Sequence, residues 1–102
     1  MASRITLDAY VIDSLMPDLV GHDRRPSAFL VYLYLYRRTR ARAHGAVTVS
    51  LQQIAVETGL SKSAVQHALR VLKRRRLVQS RSPSPTTAPD YLVGTPWLRS
   101  AK

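Results

Sequence analysis

Polar and basic side chains recur on one side of residues 61–76, a segment whose spacing predicts a helix. Because an α-helix turns by about 100° per residue, one face collects Ser63, Gln66, His67, Arg70 and Arg74. The opposite face is apolar and consists of Val65, Ala68, Leu69 and Leu72. Gln can pair with adenine and Arg with guanine through two hydrogen bonds each, and Ser or His contact bases more permissively. The pattern predicts a helix that offers these groups to the major groove of DNA; an ordinary solvated helix face is the alternative.

A second, shorter helix precedes this one and positions it. Ser50 and Gln53 have the spacing of a capping box, so Ser50 is expected to cap the first helix. Gly59 supplies the left-handed residue of the turn, and Ser61 caps the helix that follows. Residues 50–76 therefore predict a helix-turn-helix unit.

Residues 26–44 predict a longer helix that ends at Gly45. Pro26 suits a first helical turn, and no glycine or proline follows it inside the segment. The alternation of residues 31–36 also fits a strand, but good helix formers continue through residue 43 and favour a helix. Residues 29–36 would then be apolar all round, so a second subunit is expected to cover them. The alternative is a monomer that buries the tyrosine rings and leaves their hydroxyls in water.

Residues 1–22 predict a dimerisation arm that contains a short helix at about residues 7–16. Leu7, Val11 and Leu15 repeat every four residues, as on one helix face. Pro17 is expected to end or bend this helix, and residues 21–25 to form a turn. The predicted dimer interface consists of Leu7, Val11, Leu15, Tyr32 and Tyr36.

Strand patterns flank the helix pair at residues 47–49, 77–80 and 91–93. Residues 81–89 hold three of the six prolines and predict an exposed loop. Residues 77–94 therefore predict a two-stranded hairpin with a long loop. Residues 95–102 predict a tail in which Trp97 packs back on the body.

The charge distribution favours a polyanionic partner. The chain has 102 residues and a formal net charge of +10, and 13 of its 16 basic residues lie at residues 24–89 beside a single acid, Glu57. Nucleic acid is the first expectation and an anionic membrane surface the second. Four arginines around the end of the long helix fit a solvated helix end and phosphate contact about equally: Arg37, Arg38, Arg40 and Arg42.

Other classes of function find little support. The chain has no cysteine, which excludes disulfides, thiolate catalysis and cysteine-based metal sites. The three histidines lack metal-ligand spacing and the six acids are isolated, so no enzyme activity, metal or cofactor is expected. The longest apolar run, residues 28–36, is too short for a bilayer, which needs about 20 residues. A cytoplasmic, nucleoid-associated protein is expected.

The helix pair resembles that of the winged helix-turn-helix DNA-binding proteins, and residues 46–93 are similar to small bacterial regulators of the MarR and GntR type. The matching spacing is Ala55 after Ile54, Gly59 four residues later, Val65 six further on, and then Leu69. The resemblance implies that residues 61–76 are a recognition helix and residues 81–89 a wing. It implies an α+β fold, mainly α with a small β-hairpin, in which a single winged helix-turn-helix domain over residues 1–102 carries an extra N-terminal helix.

The sequence thus predicts sequence-specific binding of double-stranded DNA by a small transcriptional regulator, homodimeric and with no evident small-molecule effector. The expected contacts of the recognition helix are Ser61, Lys62, Ser63, Gln66, His67 and Arg70. The expected phosphate and wing contacts are Ser50, Lys73, Arg74, Arg76, Arg81 and Ser82. Two alternatives stay open: a replication, partition or nucleoid factor of low sequence specificity, and a winged helix used as a protein-interaction module.

Overall fold

The fold is a winged helix-turn-helix preceded by an additional helical segment, as the fold class predicted. The computed structural model describes residues 4–40, 45–82, 84 and 87–95. Helices α1, α2 and α3 and strands β1, β2 and β3 follow one another as α1 (Pro26–Arg40), β1 (Ala46–Thr48), α2 (Leu51–Thr58), α3 (Lys62–Arg74), β2 (Val78–Arg81) and β3 (Asp90–Val93). The predicted end of the long helix at residues 41–44 and the predicted tail with Trp97 lie outside the described residues.

The N-terminal segment is helical over residues 9–22, which is longer than predicted. It contains two π-helical stretches, Val11–Leu15 and Asp18–His22. The expectation that Pro17 ends the helix was wrong, because Pro17 occupies the cap position of the second stretch with a helical φ of −64°. Proline has no backbone N–H that would need an acceptor at this position, and its ring already restricts φ to a helical value. The four-residue apolar repeat consequently extends through Leu19, and the predicted turn at residues 21–25 begins later.

Helix α1 settles the ambiguity of residues 31–36 in favour of a helix. Its buried positions include Val31, Tyr32, Leu35 and Tyr36, a helical spacing that a strand cannot place on one side. The chain itself covers most of this helix, since α1 packs against α3, β3 and the N-terminal segment. Leu30 stays 46% exposed. The inference that a second subunit is needed to bury α1 was therefore wrong.

The tyrosine hydroxyls of α1 all donate to groups of the protein, and those of Tyr32 and Tyr36 do so at partly buried positions, where the monomer alternative had left them in water. Tyr32 donates to the carbonyl of Gly94 at 3.1 Å, and Tyr36 donates to the carbonyl of Thr6 at 3.2 Å. Tyr34 donates to the carboxylate of Glu57. Burial raises the pKa of Tyr32, and burial together with the Glu57 bond raises the pKa of Tyr34 to about 12. These bonds fix α1 to β3, to the N-terminal residues and to α2.

The three strands form an antiparallel sheet in the order β1-β3-β2. The hairpin of β2 and β3 was predicted. Strand β1 pairs with the other edge of β3, where Val47 lies opposite Tyr91. Tyr91 therefore has a neighbour on both sides, and it is 2% exposed. Gly94 follows directly, where a Cβ atom would lie 3.0 Å from the carbonyl oxygen of Arg76. The close approach favours glycine, and the backbone N–H of Gly94 donates to the carbonyl of Leu77 at 2.8 Å, which joins the end of the hairpin to the segment after α3.

The helix pair forms by the local signals that the sequence carries. The Ser50 side chain accepts a hydrogen bond from the backbone N–H of Gln53 at 3.1 Å, and Ser61 accepts one from Ala64 at 3.1 Å. Gly59 has a φ of 80°, which L-residues with a side chain rarely adopt. The Gln53 side chain departs from the capping-box expectation and bonds Glu57 at 3.3 Å. These caps fix where α2 ends and α3 begins.

Candidate nucleic-acid interface

The exposed face of α3 carries the polar groups that the sequence placed there. Ser63, Gln66, His67 and Arg70 are exposed, whereas Val65, Ala68, Leu69 and Leu72 are buried. One guanidinium nitrogen of Arg70 lies 3.3 Å from Nδ1 of His67, and the Ser61 and Ser63 hydroxyls lie 3.4 Å apart. None of the ion pairs within the described residues involves Lys62, Arg70, Lys73 or Arg74. The positive charge of this face is therefore uncompensated.

A cleft of about 470 Å³ joins this face to α2 and the sheet. Its lining residues are Ser50, Leu51, Gln66, Leu69, Arg70, Lys73, Pro89 and Tyr91. Four residues from two separate sequence predictions thus meet in one place: Ser50, Gln66, Arg70 and Lys73. Pro89 and Tyr91 were not predicted as site residues, because only the pairing of β3 with β1 and β2 brings them beside α3. The cleft presents a hydroxyl, an amide and two cations on one concave surface.

The basic run at the end of α3, residues 73–76, divides between exposed cations and one that forms ion pairs within the fold. Lys73, Arg74 and Arg76 are exposed, but Arg75 turns toward the N-terminal segment. Its guanidinium bonds the carboxylate of Asp18 and donates to that of Asp23 at 2.8 Å. The bond to Asp18 raises the pKa of Arg75. Arg75 is consequently committed to the fold, and three cations of the run are left to face solvent.

The partners of Arg75 also form a compact group with His22. Nδ1 of His22 lies 3.0 Å from Asp23, and this bond lowers the pKa of the Asp23 carboxyl, with a further contribution from Arg75. Ligand atoms of Asp18, His22 and Asp23 lie within 4.8 Å of one another, a spacing that could suit a divalent cation. Because Arg75 already binds both carboxylates, the ion pairs are a sufficient reason for their convergence.

One segment of the chain is similar to a known protein family. Residues 40–82 match the IclR helix-turn-helix domain. The matched IclR-type segment contains β1, α2, α3 and β2 and covers less than half of the chain. It supports DNA binding by a helix-turn-helix transcription regulator, and it does not test the closer similarity to MarR or GntR regulators. No curated protein and no solved structure matches the chain.

The strand that ends the IclR-type segment carries the predicted wing residue Arg81. A guanidinium nitrogen of Arg81 lies 3.8 Å from the Asp90 carboxylate, its partner across the hairpin, and the side chain is 74% exposed. Asp90 in turn accepts from the hydroxyl of Thr48 on β1. Ser82 is exposed beside Arg81. Arg81 is therefore anchored at the base of the wing, while residues 83, 85 and 86 lie outside the described part.

The residues predicted for the dimer interface lie in the interior of the single chain. Val11 and Tyr32 are 0% exposed, Leu15 is 3% and Tyr36 is 4%. Leu7 is partly buried and packs against the same core. Their periodicity signalled a buried face, but these residues belong to the hydrophobic core of the single chain. Among the described residues, the large apolar side chains left exposed are Ile5, Tyr10, Ile12, Val20, Leu30 and Val56.

Within the part of the chain that the structure describes, no helix has both the length and the apolar character that a membrane span requires.

Proposed function

We propose that this protein binds double-stranded DNA sequence-specifically as a small transcriptional regulator, with α3 as its recognition helix in the major groove. The exposed, uncompensated polar face of α3 above a buried apolar face carries the proposal. Ser61, Lys62 and Ser63 lie at the N-terminal end of α3, and Gln66, His67 and Arg70 continue the same face. Gln66 and Arg70 supply the side chains that can distinguish adenine and guanine.

Phosphate contacts surround this face in the proposal. Lys73, Arg74 and Arg76 follow Arg70 on the exposed side, and Ser50 lies at the N-terminus of α2, where backbone N–H groups favour an anion. Arg81 and Ser82 extend from the hairpin toward the backbone or the minor groove. Arg75 is left out of the contacts because two carboxylates already hold it.

We also propose that the protein binds as a homodimer, through surface residues other than those first expected. Five of the six large exposed apolar residues belong to residues 4–22 and α1: Ile5, Tyr10, Ile12, Val20 and Leu30. A dimer interface formed by these surface residues would leave Val11 and Leu15 in the core. A two-fold dimer would read two half-sites about one helical turn apart, roughly 10 bp.

Selection of bound sequences from random duplex DNA tests both parts of the proposal. An enriched palindrome is the expected result, and the affinity for it should fall steeply as salt rises because phosphate contacts release counterions. Equal affinity for all sequences would indicate a nucleoid, replication or partition factor of low sequence specificity instead of a regulator. The absence of duplex binding even at low salt would leave the winged helix as a protein-interaction module.

A further inference from the structure

A second basic cavity lies between the N-terminal residues and the C-terminal half of α1. Its volume is about 460 Å³, and it is lined by Arg4, Ile5, Thr6, Tyr36, Arg37 and Arg40. The volume falls in the range of small-molecule sites, roughly 300–1,000 Å³. Among the described residues that line it, three carry a guanidinium group and none is an acid. The cavity therefore combines the size of a small ligand with a strong preference for negative charge.

Specific contacts hold the walls of this cavity in place. The hydroxyl of Tyr36 donates to the backbone carbonyl of Thr6 at 3.2 Å, which fixes the N-terminal wall to α1. The guanidinium carbon of Arg40 lies 4.2 Å from the centre of the Tyr36 ring, so the ring holds this cation by a cation–π contact. Because Tyr36 is 4% exposed, its ring is a rigid base. Of the three cations, Arg40 would therefore need little further ordering when an anion binds.

Among the described residues, the three arginines of the cavity are not held by ion pairs, although Asp8 lies near enough to act on Tyr32 together with Arg40. No ion pair in the part of the chain that the structure describes includes Arg4, Arg37 or Arg40. Cations near a helix C-terminus are often explained by the helix dipole, and that explanation suits Arg37 and Arg40. It does not account for Arg4, which comes from a different element. The neighbouring Arg38 behaves differently, since it pairs with Glu57 at 2.9 Å.

The cavity does not belong to the proposed DNA-binding face. Helix α1 packs against α3, and the side of α3 that the fold buries is the apolar one. The polar face of α3 consequently points away from α1. Neither Arg37 nor Arg40 is among the described residues that line the cleft beside that face.

We propose that this cavity binds a small multivalent anion that carries phosphate or carboxylate groups. Guanidinium groups bind both kinds of oxyanion through paired hydrogen bonds. Arg37 and Arg40 supply such donors from α1, and Arg4 supplies them from the facing wall. Thr6 adds a hydroxyl, and Ile5 offers apolar contact to the carbon skeleton of an organic ligand. The site is independent of the proposed DNA binding, because the two faces share no lining residue.

Calorimetric titration of the full chain at constant ionic strength tests the site, with inorganic pyrophosphate and citrate as separate probes. At least one probe should bind with saturation at one site per chain. The double variant R37Q/R40Q should weaken that binding by about tenfold or more, as expected when two charged hydrogen-bonding groups are lost. Binding of pyrophosphate alone would identify phosphate as the recognised group, and binding of citrate alone would identify carboxylate.

The double variant R24Q/R25Q is the matched control, because it removes the same charge from exposed residues outside the cavity. It should bind the probe with a dissociation constant within about twofold of the wild type. Circular dichroism and thermal unfolding must show that all three proteins are folded. Equal weakening in both double variants, or no saturable binding by the wild type, would overturn the proposal.

DNA binding provides the second readout. R37Q/R40Q should bind duplex DNA as tightly as R24Q/R25Q does, although its affinity for the anion is reduced. If R37Q/R40Q instead loses duplex binding and keeps its anion affinity, the two arginines contact the DNA backbone and the anion site is rejected.

Discussion

The guanidinium of Arg75 donates to the carboxylate of Asp23 at 2.8 Å and ties the end of α3 to the N-terminal helical segment. The same guanidinium bonds Asp18, so one cation is shared by two acids that lie more than 50 positions earlier in the chain. The contact removes one arginine from the exposed basic run. It also sets the direction in which α3 ends, and Arg76 then takes a left-handed φ of 60° at the start of the hairpin.

Acidification should weaken the ion pair between Arg75 and Asp23. The pKa of Asp23 in the fold lies below its ordinary value of 3.8, because of its bond to His22 and the nearby Arg75. A carboxyl of this kind stabilises the fold above its unfolded pKa and loses the contribution as the pH falls through its folded pKa. Asp23→Asn should therefore lower the free energy of unfolding by about 1 kcal/mol near neutrality. The difference from wild type should shrink as the pH falls below 3.8 and disappear once the pH is below the lower pKa of the folded state.

Urea unfolding measured from neutral to acidic pH checks this expectation. Asp13→Asn is the matched control, since Asp13 is exposed in the same segment and takes part in none of the ion pairs among the described residues. A pH-independent difference between Asp23→Asn and wild type would show that the ionised carboxylate does not provide the stabilisation.

Arg70 and Lys73 should differ in what they contribute to DNA binding. Both line the cleft beside α3, but a guanidinium can pair with guanine whereas an ammonium acts as a point charge on phosphate. Arg70→Ala should cost about 1–3 kcal/mol on a selected site and much less on random duplex. Lys73→Ala should weaken both about equally and reduce the salt slope by about 1. Fluorescence anisotropy titrations at several salt concentrations provide the comparison, and equal losses on both duplexes for Arg70→Ala would assign it to phosphate.

Leu15 and Ile12 should separate folding from assembly. Leu15 is 3% exposed in the core, whereas Ile12, three positions earlier, is 42% exposed. Leu15→Asp should lower the free energy of unfolding by at least about 3 kcal/mol, because it removes a buried side chain and introduces an unpaired carboxylate. Ile12→Asp should change it by less than about 1 kcal/mol.

Sedimentation equilibrium of the same two proteins tests the dimer. If the exposed apolar residues of the arm form the interface, Ile12→Asp should be a folded monomer at concentrations at which the wild type is dimeric. A wild-type mass equal to that of one chain would remove the dimer from the proposal and leave the core assignment of Leu15 intact.

Two glycines should respond to alanine in opposite directions. Gly59 has a φ of 80° and nothing within 4 Å of a built Cβ, so Gly59→Ala should cost only the left-handed backbone, about 1–2 kcal/mol. Gly21 also has nothing within 4 Å but lies in the second π-helical stretch without a positive φ. Gly21→Ala should raise stability by about 0.5–1 kcal/mol. Thermal unfolding of both variants measures the pair, and a loss of stability in Gly21→Ala would indicate a backbone demand at that position.

The sequence by itself determined the helix pair and its two faces. Ser50, Gly59 and Ser61 act on backbone groups within a few positions, and the period of Val65, Leu69 and Leu72 follows from the geometry of one helix. Such local signals depend little on the remainder of the chain. For this reason the helix-turn-helix unit and the polar face of α3 could be predicted before any packing was known, whereas the winged class rested on the family resemblance and the strand patterns.

Tertiary structure decided which residues of different elements meet. The periodicity of Val11 and Leu15 showed a buried face but not what covers it, and the covering surface is the chain itself. The bond of Arg75 to Asp23 and the cavity shared by Arg4 and Arg40 join residues far apart in sequence. Side chains that distant meet only when the helices pack in one arrangement, and that arrangement depends on complementary shape across the whole core.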